Sequence, residues 1–328
     1  RGNDERPWCL TVSFTHPHDP YVARRKHWEL YDDCAHLEPA SPSIPYEEMD
    51  PHSQRLMDAC DWRNFNITPD EISRARRGYF ANISYIDDKV AEIIDVLETT
   101  RQRENTVIIF TSDHGDMLGD KGLWFKMSFF DGAARVPMMV AAPSLGAGRI
   151  DTPVSTLDLL PTLCDFAGID LGDMQQYLDG ESLVPLAQGQ RRNQPVLMEY
   201  AAEGTIAPMV SLRNDRYKIN HCQADPVQLF DLENDPDERS NLADDPQHAG
   251  VFAELSAKVK ERWDLAAFDA AIRQSQARRW VVYEALRNGA YYPWDFQPLQ
   301  MASERYMRNH MDLNTLESRQ RFPRDKIK

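Results

Sequence analysis

The sequence is short of cysteine, short of basic charge and without any long apolar run. Its five cysteines, Cys9, Cys34, Cys60, Cys164 and Cys222, are far apart and odd in number. That excludes a disulfide framework or a zinc knuckle and points to a reducing, cytoplasmic compartment. Lys and Arg total 37 against 52 Asp and Glu, a formal net charge of −15, so the clustered cations that displace counterions from nucleic acid are missing. Such acidity mostly means solubility, and it would also suit a cationic ligand. Nowhere do about 18 apolar residues follow one another, the length of a membrane span, and the opening RGNDERPW has no apolar signal core. There is no G-x-S-x-G elbow, and no Ser or Cys has an evident base beside it in sequence.

What is present is enough apolar sequence, 42% of 328 residues, for one large α/β domain with an appended piece, or for two domains. Residues 8–14, WCLTVSF, read as a buried strand ending in the polar cluster THPHDPY, as though the chain began in mid-domain. Residues 21–69 are rich in proline and lack a period. Thr68-Pro69-Asp70-Glu71 is a helix start, and Tyr79, Ile83, Ile86, Val90, Ile93, Ile94 and Leu97 continue it at a period near 3.6 to about Thr99. TVIIFTSDHG and VPMMVAAP then predict two buried strands. The order strand, long helix, strand, loop, strand predicts an α/β fold with a mainly parallel sheet flanked by helices.

Further on, TPVSTLDLLPTLCDFAGI predicts a helix ending at Gly168. VLMEY, APMVSLRN and DRYKINHC predict a smaller antiparallel piece closed by the acidic loop LFDLENDPDERSNLA. A charge-rich helix is expected over about 252–278, and the residues after it are aromatic and basic without a core pattern. The division that follows is 1–190 for the α/β part, 191–262 for the smaller subdomain and 263–328 for an extension.

Asp113 and His114 fall at the carboxyl end of the strand TVIIF, where a sheet can aim side chains into a crevice. The pair reads either as two ligands of one cation or as a capped strand end. Lys126, beyond the loop 115–125, is a solvated lysine unless that loop folds back, in which case its ammonium would stabilise charge on a transferring group. His16 and His18 flank Pro17 at another strand end; they read either as structural histidines or with His18 donating a hydrogen bond, as general acid, to a leaving alkoxide. A hard cation wants about six oxygens, and only one carboxylate is clearly offered. The search for a nucleophile finds none in this chain.

These motifs resemble a known family. HPHDPY, YFANISYIDDKVAEIIDVLE, TVIIFTSDHGDMLGDKGLWFKMSFFDGAARVPMMV, VSTLDLLPTLCDFAGI, LDGESLVPL and LFDLENDPDERSNLA are similar, in order, to segments of the formylglycine sulfatases of the alkaline phosphatase superfamily. RWDLAAFDAAIRQSQARRWVVYEALRNGAYYPWDFQP resembles the C-terminal extension of choline sulfatases. The resemblance implies an alkaline-phosphatase-like fold. It also implies a formylglycine made from a Cys in C-x-P-x-R, whose hydrate attacks sulfur, and a divalent cation, usually Ca²⁺ with Mn²⁺ or Mg²⁺ as alternatives. None of the five cysteines here has that context, so the nucleophile is expected in an amino-terminal part outside this chain.

Carried over by residue, the resemblance makes Asp113 and His114 metal ligands, Lys126 the bridge between sulfate and ester oxygen, and His18 the partner of the leaving group. Many relatives carry Asn where His114 stands. Lys121 is given no role. The implied substrate is choline-O-sulfate, whose trimethylammonium group suits an aromatic box with a carboxylate. Glu203 is the candidate carboxylate, or else a solvated loop glutamate. Tyr291, Tyr292, Trp294 and Phe296 either pack on a neighbouring subunit or edge its pocket, and the extension implies a homodimer or homotetramer. Two rivals stand beside this reading, a phosphonate monoester or phosphodiester hydrolase on the same scaffold and a non-catalytic binding module.

Overall fold

The structure, a computed structural model, describes residues 7–32, 37–192 and 194–287. The expected tail aromatics Tyr291, Tyr292, Trp294 and Phe296 lie outside the described residues. In chain order the helices are α1 (Arg25–Trp28), α2 (Pro51–Ala59), α3 (Pro69–Thr99), α4 (Asp131–Ala134), α5 (Leu159–Phe166), α6 (Leu183–Ala187), α7 (Ala249–Arg262) and α8 (Leu265–Arg287). The strands are β1 (Ile108–Thr111), β2 (Met138–Ala141), β3 (Val196–Tyr200), β4 (Met209–Arg213), β5 (Tyr217–Cys222) and β6 (Gln228–Asp231). Among the described residues two compact units are formed, one from those up to 38 with 67–104, the other from 39–66 with those from 105 to 287. None of the described helices is long and apolar enough to cross a membrane.

In the first unit α3 starts as the sequence predicts. The Thr68 hydroxyl accepts from the Glu71 N–H, and the Glu71 carboxylate accepts in return from the Thr68 N–H at 2.8 Å, which satisfies two of the helix's orphan donors. On α3, Arg77 donates twice to the carbonyl of Trp28 in α1, at 2.9 and 2.7 Å, and its guanidinium lies 4.4 Å from that indole's centre. Lys26 and His27 meet Asp88 of α3 at 2.6 and 2.9 Å. The expected strand at 8–14 does not form. No ladder includes these residues, and Leu10 and Val12 are 69% and 48% exposed. A β-propensity run becomes a strand only beside a partner edge.

In the second unit β1 and β2 pair antiparallel, Ile108 opposite Ala141 and Thr111 opposite Met138. Parallel strand pairs, expected from the sequence, do not occur among the described residues. A parallel return needs a crossover, usually a long helix, and the connection 112–137 holds only loop, a three-residue 3-10 turn (Asp120–Gly122) and the single turn α4. The smaller sheet is the expected antiparallel meander, in the order β3, β4, β5, β6. Its period-2 alternation sorts two faces. Val210, Leu212, Ile219 and Leu229 pack with Leu255, Val259 and Trp263 at the α7 side, each buried side chain contributing about 1.5–3 kcal/mol. Met209 and Cys222 lie with Phe129 on the other.

α5 ends as predicted, with Gly168 at φ +66°. The expected single charge-rich helix is two, α7 and α8. The break falls at Trp263, whose extended backbone (φ −127°, ψ 129°) lets its ring stay buried against the sheet, and Asp264 then accepts from the Ala267 N–H at 2.9 Å to start α8.

Candidate active site

The turn after β1 is fixed from both sides. Thr111 Oγ1 donates to the Pro137 carbonyl at 2.8 Å, tying the end of β1 to the approach to β2. Gly115 N–H donates to the Ala133 carbonyl at 2.7 Å, and a Cβ on Gly115 would stand 2.2 Å from the Gly132 carbonyl oxygen. Only glycine allows the turn to lie this close to α4.

Between these anchors, Asp113 Oδ1 accepts from the His114 N–H at 2.9 Å and from the Ser112 hydroxyl at 3.2 Å. His114 Nδ1 lies 2.8 Å from the Gly115 carbonyl. A carbonyl only accepts, so Nδ1 carries a proton. The ring's Nε2 is 3.6 Å from Asp113 Oδ2. Partial desolvation would raise the Asp113 carboxyl, but the charge of His114 and the hydrogen bonds from backbone N–H groups and Ser112 outweigh it, holding the group below the ordinary carboxylate range.

Two ligands about 2.0–2.6 Å from a common cation stand about 3–4 Å apart, so Asp113 Oδ2 and His114 Nε2 fit as part of a metal shell. They do not complete one. Among the described residues there is no group of three or more His, Cys, Asp or Glu side chains that could hold a metal.

The loop after this turn does fold back. Met117 N–H donates to the Phe125 carbonyl and Gly119 N–H to that of Leu123, both at 2.8 Å. Asp116 Oδ1 latches the two sides, accepting from Leu118 N–H at 3.0 Å and Phe125 N–H at 2.9 Å. The closure holds Leu118, Lys121 and Phe125 in the left-handed region, at φ 47°, 59° and 64°, a costly conformation for residues with a Cβ and one that gathers at functional sites. It returns Lys126, half-buried, to the crevice lined by Asp113 and His114, a space of about 1670 Å³ that Asp131, Arg135 and Tyr200 also border. Lys121 is instead buried, its Nζ donating to the Glu238 carbonyl at 2.6 Å, and burial pushes its pKa down.

His18 belongs to the first unit. Its Nδ1 lies 3.0 Å from Asp19 Oδ1 and 2.8 Å from the Asp19 carbonyl, so Nδ1 carries a proton. Asp19 was visible next to His18 in the sequence, but the pairing needs the turn to be known. Glu203 is exposed and does not line the crevice; Tyr200, which does, hydrogen-bonds Glu203 Oε2 at 3.0 Å. Burial first, then the Glu203 carboxylate, pushes the Tyr200 hydroxyl's pKa well up. Sequence reasoning missed Tyr200, although the alternation of VLMEY sets it on the face of Met198, with Phe129.

Residues 1–169, more than half the chain, match the Sulfatase family. The chain belongs to the sulfatase family. Residues 119–264 also match the family "N-sulphoglucosamine sulphohydrolase, C-terminal", and residues 270–322 match "Choline sulfatase enzyme C terminal". A choline-sulfatase of Rhizobium meliloti (strain 1021) is 60% identical over 99% of this chain and 64% of its own length. A multifunctional alkaline phosphatase superfamily protein, PehA of Trinickia caryophylli, is 28% identical over 82% of this chain and 58% of its own. Among solved structures, the phosphonate monoester hydrolase SpPMH from Silicibacter pomeroyi superposes with a TM-score of 0.64 at 25% identity, covering 75% of this chain and 54% of its own. The sulfatase chain therefore shares the alkaline-phosphatase-like fold and spans 64% or less of the length of these relatives.

Proposed function

We propose that this sulfatase takes part in hydrolysing an alkyl sulfate monoester, choline-O-sulfate, to choline and sulfate. The observation that carries the reading is the 60% identity to a choline-sulfatase over 99% of the chain. The match of residues 270–322 to the choline sulfatase C-terminal family supports it.

Asp113 and His114 would hold a divalent cation, Ca²⁺ in this reading. When bound, that cation would withdraw charge from the sulfate oxygens, and a formylglycine, expected in the length that relatives have beyond this chain, would supply the attacking oxygen. Lys126 places its ammonium against the ester oxygen and offsets the charge that grows there. His18, its ring held by Asp19, donates to the departing alkoxide. Glu203 lies beyond the crevice lining but is hydrogen-bonded to Tyr200 at its border, and in this reading it is the carboxylate for the trimethylammonium group. Residues 263–328 join copies into a dimer or tetramer, a reading supported by the exposed Trp280, Val281, Val282 and Tyr283 of α8.

The likeness to SpPMH favours a second reading, hydrolysis of phosphonate monoesters or phosphodiesters by the same residues. The test is release of choline and sulfate from choline-O-sulfate by the full-length protein. Lys126→Ala is expected to lower kcat at least about a hundredfold, and turnover unchanged by that substitution would refute the role given to Lys126.

A further inference from the structure

Arg55 takes no part in the chemistry above, yet it is tied at three points. From α2 its Nη1 and Nη2 donate to Asp225 Oδ1 and Oδ2 at 2.9 and 2.6 Å, and its Nε donates to the Gly204 carbonyl at 2.6 Å. The carboxylate of Asp225 is 8% exposed, and a two-point fork onto it fixes the guanidinium plane. Its Nε–H is thereby aimed at the turn that carries Glu203.

That turn rests on α2 throughout. Gly204 has φ +75°, and a Cβ there would stand 2.7 Å from Leu56 Cδ2, so no larger residue lets the turn seat on the helix. One turn earlier on α2, the His52 ring meets the Tyr200 ring edge-on at 5.9 Å. Its Nε2 donates to the Met127 carbonyl at 2.6 Å. Tyr200 in turn hydrogen-bonds Glu203 Oε2, and Thr205 Oγ1 closes the turn onto the Ala202 carbonyl at 2.7 Å. Helix α2 thus grips Gly204 directly and Glu203 through Tyr200. An exposed glutamate without such support has free rotamers, and its attraction for a cation falls away with distance.

We propose that Arg55 is a positioning residue that, with Asp225, sets the Glu203 carboxylate for the cationic end of the substrate and so selects cationic over neutral sulfate esters. The inference rests on the reading of Glu203 as the carboxylate that faces the substrate cation. Arg55 touches no reacting atom in it, and acts on KM through the 202–205 turn.

The experiment compares choline-O-sulfate with 3,3-dimethylbutyl sulfate, its neutral carbon isostere, on the full-length enzyme. Arg55→Met is expected to raise KM for choline-O-sulfate about tenfold with kcat within about twofold, and to leave both constants for the isostere within about twofold. Glu203→Gln gives the same split, and the double variant is no worse than Glu203→Gln alone, as for residues acting in one chain. If Arg55→Met does not fold, Asp225→Asn, which keeps the shape of the pair, decides by the same split. Equal loss on both substrates, or no change on either, while Glu203→Gln still discriminates, overturns the role of Arg55 and leaves that of Glu203 standing. Failure of Glu203→Gln to discriminate removes the reading of Glu203, and the role of Arg55 falls with it.

Discussion

The ammonium nitrogen of Lys218 lies 2.5 Å from a carboxylate oxygen of Glu238, and neither side chain is more than 2% exposed. Lys218 also donates to Asp131 Oδ1 and to the Phe129 carbonyl, both at 2.7 Å. Arg213 adds a second cation on Asp131 at 3.0 Å, and Glu238 Oε2 accepts from the Asp131 N–H at 2.6 Å. Two cations and two carboxylates thus join the sheet β3–β6 to the segment that runs from Lys126 into α4. Burial raises the pKa of Glu238 and Lys218 pulls it back.

Removing one member of this set strands the others. Lys218→Met leaves Glu238 buried without its cation and Asp131 with only Arg213. It is expected to cost about 3–5 kcal/mol of unfolding free energy, measured by denaturant titration of the full-length protein. A loss under about 1 kcal/mol would show the network to be dispensable.

Asp88 makes a pH-dependent contribution in the first unit. Hydrogen bonds from Lys26 and then His27 hold its pKa at about 2, below the unfolded value of about 3.9. A depressed carboxyl stabilises the fold above the unfolded pKa and loses that contribution as pH falls through the folded one. The Tm difference between wild type and Asp88→Asn is therefore expected to be full above about pH 5 and to shrink toward pH 2. A difference that stays constant over that range would contradict the pairing.

Asp19 is expected to act through His18. Asp19→Asn removes the carboxylate that holds the imidazole through Nδ1. It should lower kcat for choline-O-sulfate about tenfold while changing 4-nitrophenyl sulfate hydrolysis less than about twofold, since a good leaving group needs little protonation. Equal effects on both esters would assign Asp19 a structural role only.

Cation binding is expected to need both Asp113 and His114. Calorimetric titration of metal-stripped full-length protein with Ca²⁺ should show Asp113→Ala and His114→Ala at least about a hundredfold weaker than wild type. His114→Asn, which returns an oxygen donor, should recover most of the affinity. Wild-type affinity in His114→Ala would remove the histidine from the shell.

Local features were legible in the sequence where local chemistry decides them. The capping box at Thr68 and Glu71, the end of α5 at Gly168 and the strand runs at Ile108–Thr111 and Met138–Ala141 all form as read. Asp113, His114 and Lys126 were legible as types, and the loop latched by Asp116 brings them to one crevice. Pairing was not legible, because strand direction depends on distant partners. WCLTVSF has the composition of a strand and forms none, and β1 with β2 run antiparallel. Lys218 was hidden for the same reason. An isolated lysine in DRYKINHC reads as solvent-facing until the sheet's second face is known to be covered. Arg55 lies 149 residues from Gly204 and 170 from Asp225, beyond any local pattern.

The central claim is that this sulfatase acts on choline-O-sulfate, and the most direct measurement is kcat/KM of the full-length enzyme for that ester against a phosphonate monoester of similar size. The account predicts a ratio of at least about a hundred in favour of choline-O-sulfate. A ratio below one, with choline-O-sulfate barely turned over, would contradict it.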